Sequence, residues 1–113
     1  MEQYYKLDRV KELADNDEDF IVTLAQTFLE EVPADAKILK EAVENKNYLL
    51  SYKTAHKMKP TVDLFELGVL EDLIEVQDWG KFEQTEKEID HKLKIVLTAI
   101  DNAVNEIRQD FNL

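Results

Sequence analysis

The chain contains no cysteine. Disulfides, zinc-thiolate sites and thiol nucleophiles are therefore outside its chemistry. Glycine and proline are almost as scarce, with 2 of each in 113 residues. So few turn-formers leave room for few loops, and long helices are expected. No run approaches the roughly 18 apolar residues of a membrane-spanning helix, and no membrane association is expected. Basic residues are the minority charge, with 14 Lys and Arg against 25 Asp and Glu and a formal net charge of -11. A surface of that sign repels nucleic acid and anionic lipid, so neither is expected as a partner. The start Met1-Glu2-Gln3-Tyr4-Tyr5 lacks the basic residues and apolar run of a secretory signal. A cytoplasmic setting is expected. A Gly-rich phosphate loop, a Ser/His/Asp arrangement and a nucleotide-binding signature are all missing, which argues against autonomous ATP chemistry.

What is present is a chain with 44% hydrophobic residues, arranged at helical spacing. Its length suits one domain over residues 1–113 with a single core. Leu7, Val10 and Leu13 predict a short first helix ending before Asp15-Asn16-Asp17. Asp17 reads as the N-cap of a second helix, with Glu18 and Asp19 at the positive end of its dipole. Phe20, Leu24, Phe28, Val32, Leu39 and Val43 form its apolar stripe. Pro33 predicts a kink or break, and Asn45-Lys46-Asn47 a tight connection. Tyr48, Tyr52, Ala55, Met58, Val62, Phe65 and Val69 continue in steps of three and four, with breaks expected at Gly68 and at Asp78-Trp79-Gly80. Phe82, Ile89, Leu93, Val96, Ile100, Val104, Ile107 and Phe111 predict a last helix of about eight turns. The expected fold is all-α: an up-and-down antiparallel four-helix bundle with a short extra N-terminal helix, its connections short. Nothing identifies a second seam, so a monomer is expected.

The histidines, His56 and His91, differ in placement. At ~100° per residue, His91 lies about 160° from Leu93, away from the apolar stripe. It reads as a solvated surface residue. His56 is about 100° from Ala55, at the border between core and solvent. From Lys46 to Pro60 the sequence carries Lys46, Lys53, Lys57 and Lys59 and not one acid. A basic island in an acidic chain suggests a face that meets something negative. Imidazole is mostly neutral and nucleophilic at pH 7, so it can accept a phosphoryl group. Lys59, one turn on, can pair with phosphoryl oxygens as a point charge. Pro60 has no N–H to bond the carbonyl four residues back, which is that of His56.

Ala55-His56-Lys57-Met58-Lys59 resembles the signature of histidine-containing phosphotransfer (HPt) domains, Ala-His, any residue, an apolar residue, then Lys and Gly. The run Phe20 to Val43 is similar to the helix before the histidine in that family, and Phe65 to Leu73 to the part that follows. The resemblance implies a four-helix bundle that relays phosphate between receiver domains of response regulators or hybrid histidine kinases. It implies His56 as phosphoacceptor, at Nε2, and Lys59 as the lysine that stabilises the phosphoryl group. Lys53, Lys57, Pro60 and Asp63 would meet the partner. The chain would be a phosphocarrier and not an enzyme. It would bind no metal or cofactor, the receiver's aspartate and its Mg²⁺ supplying charge stabilisation. Three positions depart from the family pattern. Pro60 stands where Gly is usual, Asp63 where a small residue is usual, and Glu66 where a second Gly is usual. Asp63 lies ~20° from His56 on the wheel, two turns along, where a carboxylate can repel a phosphoryl group or orient the ring or Lys59.

Rival readings are a helical adaptor that binds a receiver or other protein without phosphotransfer, and a metal-dependent bundle enzyme. Glu88-Ile89-Asp90-His91 matches one Glu-x-x-His element of di-iron bundles, which need two such elements pointing inward.

Overall fold

The structure, a computed structural model, describes residues 2–113. Among the described residues it is all helix and turn, with no strand. The elements are α1 (Asp8–Leu13), α2 (Glu18–Glu44), α3 (Tyr48–Leu64), α4 (Leu70–Lys81) and α5 (Asp90–Phe111). α2 packs on α3 and α5, and α4 packs on the same two helices. The four long helices therefore share one core, and α1 rests on α2. No helix is long and apolar enough to cross a membrane.

Local chemistry sets the main boundaries. Asp17 caps α2 as expected, its carboxylate accepting from the backbone N–H of Asp19 at 3.0 Å and of Phe20 at 3.3 Å. The α2–α3 connection is the tight Asn45-Lys46-Asn47 turn. Lys46 takes a left-handed φ of 54°, and Asn47 caps α3 by accepting from Leu50 N at 3.2 Å. Ala55, Met58 and Val62 are buried on the inner face of α3. Phe65, just past its end, packs at a tilt against Phe28 of α2 with ring centroids 4.7 Å apart, both rings buried.

The chain departs from the periodicity reading in several places. α3 ends at Leu64, before Gly68. α4 is a separate helix that runs through Asp78-Trp79-Gly80, the tripeptide expected to break one. Gly80 is there for contact and not for a turn. A Cβ on it would lie 2.5 Å from the Tyr48 carbonyl oxygen and 2.7 Å from the Tyr52 amide nitrogen. Only hydrogen at that position lets α4 close against α3. Beside it Trp79 is buried, packs at a tilt against Tyr48 with ring centroids 4.6 Å apart and donates its indole N–H to the Lys87 carbonyl at 3.2 Å. The last helix starts at Asp90, and Phe82, assigned to its stripe, is 61% exposed. Leu13 and Phe20, also assigned to stripes, are exposed as well. Terminal turns lack a helix to pack against on every side, so periodicity overstates burial there. α2 runs through Pro33 without a break.

Glu66 follows α3 in a left-handed conformation, φ 50°, where its amide bonds the Asp63 carbonyl at 3.0 Å and stops the helix. A non-glycine residue there costs about 1 kcal/mol. One of its carboxylate oxygens, Oε2, is also buried without a hydrogen-bond partner. Glu66→Gly removes both penalties and is expected to stabilise the fold by about 1 kcal/mol, or several degrees of thermal midpoint. A thermal melt that falls instead would mean that the Glu66 side chain packs more than it strains.

Ahead of α1, Tyr5 is buried and donates its phenol to Asp110 Oδ2 near the end of α5, at 2.7 Å. Burial first, and then that hydrogen bond, push the phenol well above the usual range. Below about pH 10 the phenol is protonated in folded and unfolded chains alike. Above it the unfolded phenol ionises while the folded one keeps its proton, so stability falls as pH rises. Urea midpoints taken from neutral to about pH 11 are expected to drop more steeply for wild type than for Tyr5→Phe.

Candidate functional site

His56 sits in the middle of α3 and is exposed, as the stripe-edge position predicts. Two contacts hold the ring. Tyr52, one turn earlier, lies with its ring centroid 5.9 Å from the imidazole. Across the α3–α4 seam, the Gln77 side-chain oxygen is 3.3 Å from His56 Nδ1. The Gln77 amide nitrogen in turn donates to Asp78 Oδ1 at 3.3 Å. A carboxylate accepts only, so that bond directs the amide nitrogen to Asp78 and the carbonyl oxygen to His56. A carbonyl oxygen also only accepts, so the neutral ring carries its proton on Nδ1. Nε2 is left with its lone pair, and no described residue hydrogen-bonds it.

The lysines around His56 are not equivalent. Lys57 is tied to Asp35 of α2, Nζ to Oδ1 at 3.1 Å. Asp35 is only 7% exposed, so its carboxylate needs that cation. Lys53 is exposed and Lys59 half-buried, and neither forms an ion pair with a described residue. Pro60 is exposed one turn on. Asp63 does not face the ring as a free charge. Arg9 of α1 pairs with it, Nη1 to Oδ1 at 2.7 Å, and also donates to its carbonyl at 3.3 Å. The guanidinium offsets the repulsion that the carboxylate would exert on an anion two turns away.

Sequence reasoning missed Gln77. It is polar, buried and 21 residues from His56, in a stretch read as the approach to a break. Its signal was available only as a helical one: Leu73, Val76 and Trp79 share the buried side of α4 with it. Lys81, one turn beyond, was missed for the same reason; its ammonium lies 6.0 Å from the Tyr52 ring centroid.

A cavity of about 640 Å³ opens between the ends of α2 and α4 and the starts of α3 and α5, lined by Tyr48, Trp79 and Leu93 among others. It does not include His56. An imidazole on an open helix face suits a macromolecular partner better than a small substrate, which needs concavity. Glu88 and His91 of the Glu-x-x-His element are both exposed, the reverse of the inward placement a di-iron centre demands. Among the described residues no group of three or more His, Asp or Glu side chains is placed to hold a metal. No protein-family model, curated protein or solved structure matches the chain.

Proposed function

We propose that this chain is a phosphorelay intermediate, an HPt-like up-and-down antiparallel four-helix bundle with a short extra N-terminal helix. It accepts a phosphoryl group on His56 from the aspartate of one receiver domain and passes it to another. The observation that carries the reading is the exposed His56 ring held at Nδ1 by the Gln77 carbonyl oxygen, with Nε2 free.

The chemistry closes without a proton transfer. The Nε2 lone pair attacks the phosphorus of the receiver's aspartyl phosphate. The N–P bond forms as the P–O bond breaks, and the carboxylate leaves with the electron pair. The ring keeps its Nδ1 proton and becomes cationic. Its bond to the Gln77 oxygen is then charge-assisted, stronger than in the neutral ring. Transfer to the next receiver reverses the sequence, with a fresh aspartate attacking phosphorus. Lys59 supports the phosphoryl oxygens. The receiver's Mg²⁺ neutralises charge in the loose transition state, so this chain acts as a carrier and needs no cofactor of its own. Release after each transfer suits a monomer.

The test is transfer of labelled phosphate from a panel of phosphorylated receiver domains. Acid-labile, base-stable label on this chain is expected. No label from any receiver that binds it would sink the relay and leave a helical adaptor.

A further inference from the structure

The surface next to His56 is uneven. On its C-terminal side Lys57 is satisfied by Asp35 and Asp63 by Arg9, and only the half-buried Lys59 lacks an ion-pair partner among the described residues. On its N-terminal side the charges are not satisfied in this way. Leu49, Tyr52 and Lys53 lie seven, four and three residues before His56, on one face of α3. Leu49 is 61% exposed, and so is Phe82 at the end of α4. Lys81 joins the two helices across the seam, its ammonium 6.0 Å from the Tyr52 ring centroid and 5.3 Å from that of Phe82. Its stem covers aromatic surface while its charge stays at the rim. Neither Lys53 nor Lys81 has a carboxylate partner among the described residues.

We infer that Leu49, Tyr52, Lys53, Lys81 and Phe82 form the docking surface beside His56, and that it takes a receiver domain through an exposed apolar side chain ringed by carboxylates. The inference rests on the phosphorelay reading. Aromatic and aliphatic side chains this exposed lose water when an apolar residue covers them. The two free ammonium groups at the edge select acids around that residue. A second copy of the chain is the weaker occupant, because two surfaces of net charge -11 repel. Docking here approaches His56 from the α3–α4 seam, and leaves the Pro60–Asp63 side to α1.

The experiment measures binding of unphosphorylated receiver domains by titration calorimetry, in parallel with label transfer. Phe82→Ser and Leu49→Ser are expected to weaken receiver binding about tenfold each. Lys81→Glu is expected to weaken it more at low than at high salt. Phe20→Ser, an exposed apolar residue on α2, is the control and leaves binding unchanged. The replaced residues are solvent-exposed, and matching thermal melts verify that the variants fold. Phosphoramidate, a small-molecule donor, is expected to label His56 equally in all of them. Variants that bind and accept label like wild type would overturn the docking surface and leave the relay standing. Wild type that binds a receiver without taking label, with binding weakened in Phe82→Ser, would sink the relay and support the surface. Wild type that binds no receiver in the panel, or that dimerises through Phe82 in sedimentation, would overturn the surface outright.

Discussion

His56→Gln is expected to abolish phosphoryl acceptance while leaving the fold intact. Glutamine keeps a polar side chain of similar reach but offers no nitrogen lone pair, because its amide nitrogen is conjugated. The residue is exposed, and surface replacements usually move stability by less than about 0.5 kcal/mol. Loss of label with an unchanged melt therefore isolates chemistry from folding. Lys59→Ala is expected to fall between the two. It removes one charge-assisted contact to the phosphoryl group, about 1.5–3 kcal/mol, which slows transfer roughly 10- to 100-fold. Label persisting on His56→Gln would place the phosphoacceptor elsewhere, with His91 the first residue to replace.

Gly80→Ala is expected to be the most damaging single-methyl change in the protein. Two effects of opposite sign meet there. Helix propensity favours alanine over glycine by about 1 kcal/mol. Against it, the new Cβ would lie 2.5 Å and 2.7 Å from backbone atoms of Tyr48 and Tyr52, and 3.2 Å from Ser51 Cβ. Flexible side-chain ends can yield, but helix backbone cannot, so α3 and α4 must part along their seam. Overpacking of this kind costs about 1–3 kcal/mol and sometimes more. With backbone on two sides, the cost belongs at the upper end, leaving a net loss of about 2 kcal/mol. Chemical denaturation reads the sign directly. A variant as stable as wild type would mean that propensity wins and that α3 and α4 part at little cost. The same separation stretches the His56–Gln77 bond, since Gln77 lies one turn before Gly80 on α4. The His56 ring resonances in an NMR spectrum are expected to shift along with the loss of stability.

These two residues mark how far sequence carries. His56 was legible. It lies at the edge of a strong stripe through Ala55, Met58 and Val62, all buried, so its own exposure follows from helical angle alone. Its basic neighbours were legible as composition. Gly80 was visible but misread, because a glycine beside Asp78 and Trp79 looks the same in sequence whether it ends a helix or lets another helix approach. Gln77 was invisible as a partner, since nothing local distinguishes a glutamine aimed at a histidine from one aimed at water.

The sequence by itself determined what depends on near neighbours: all-helical character, the cap at Asp17, the Asn45–Asn47 turn, and the side of α3 that His56 occupies. These follow from hydrogen bonds and side-chain spacing within a turn or two, which the order of residues specifies. Only the tertiary structure decided which groups meet across seams. Gln77 reaches His56 over 21 residues, Asp35 reaches Lys57 over 22, and Arg9 reaches Asp63 over 54. Such pairings depend on the rotation and closeness of one helix against another. Those are set by the fit of the whole core, down to the missing side chain of Gly80, and not by any stretch of sequence read alone.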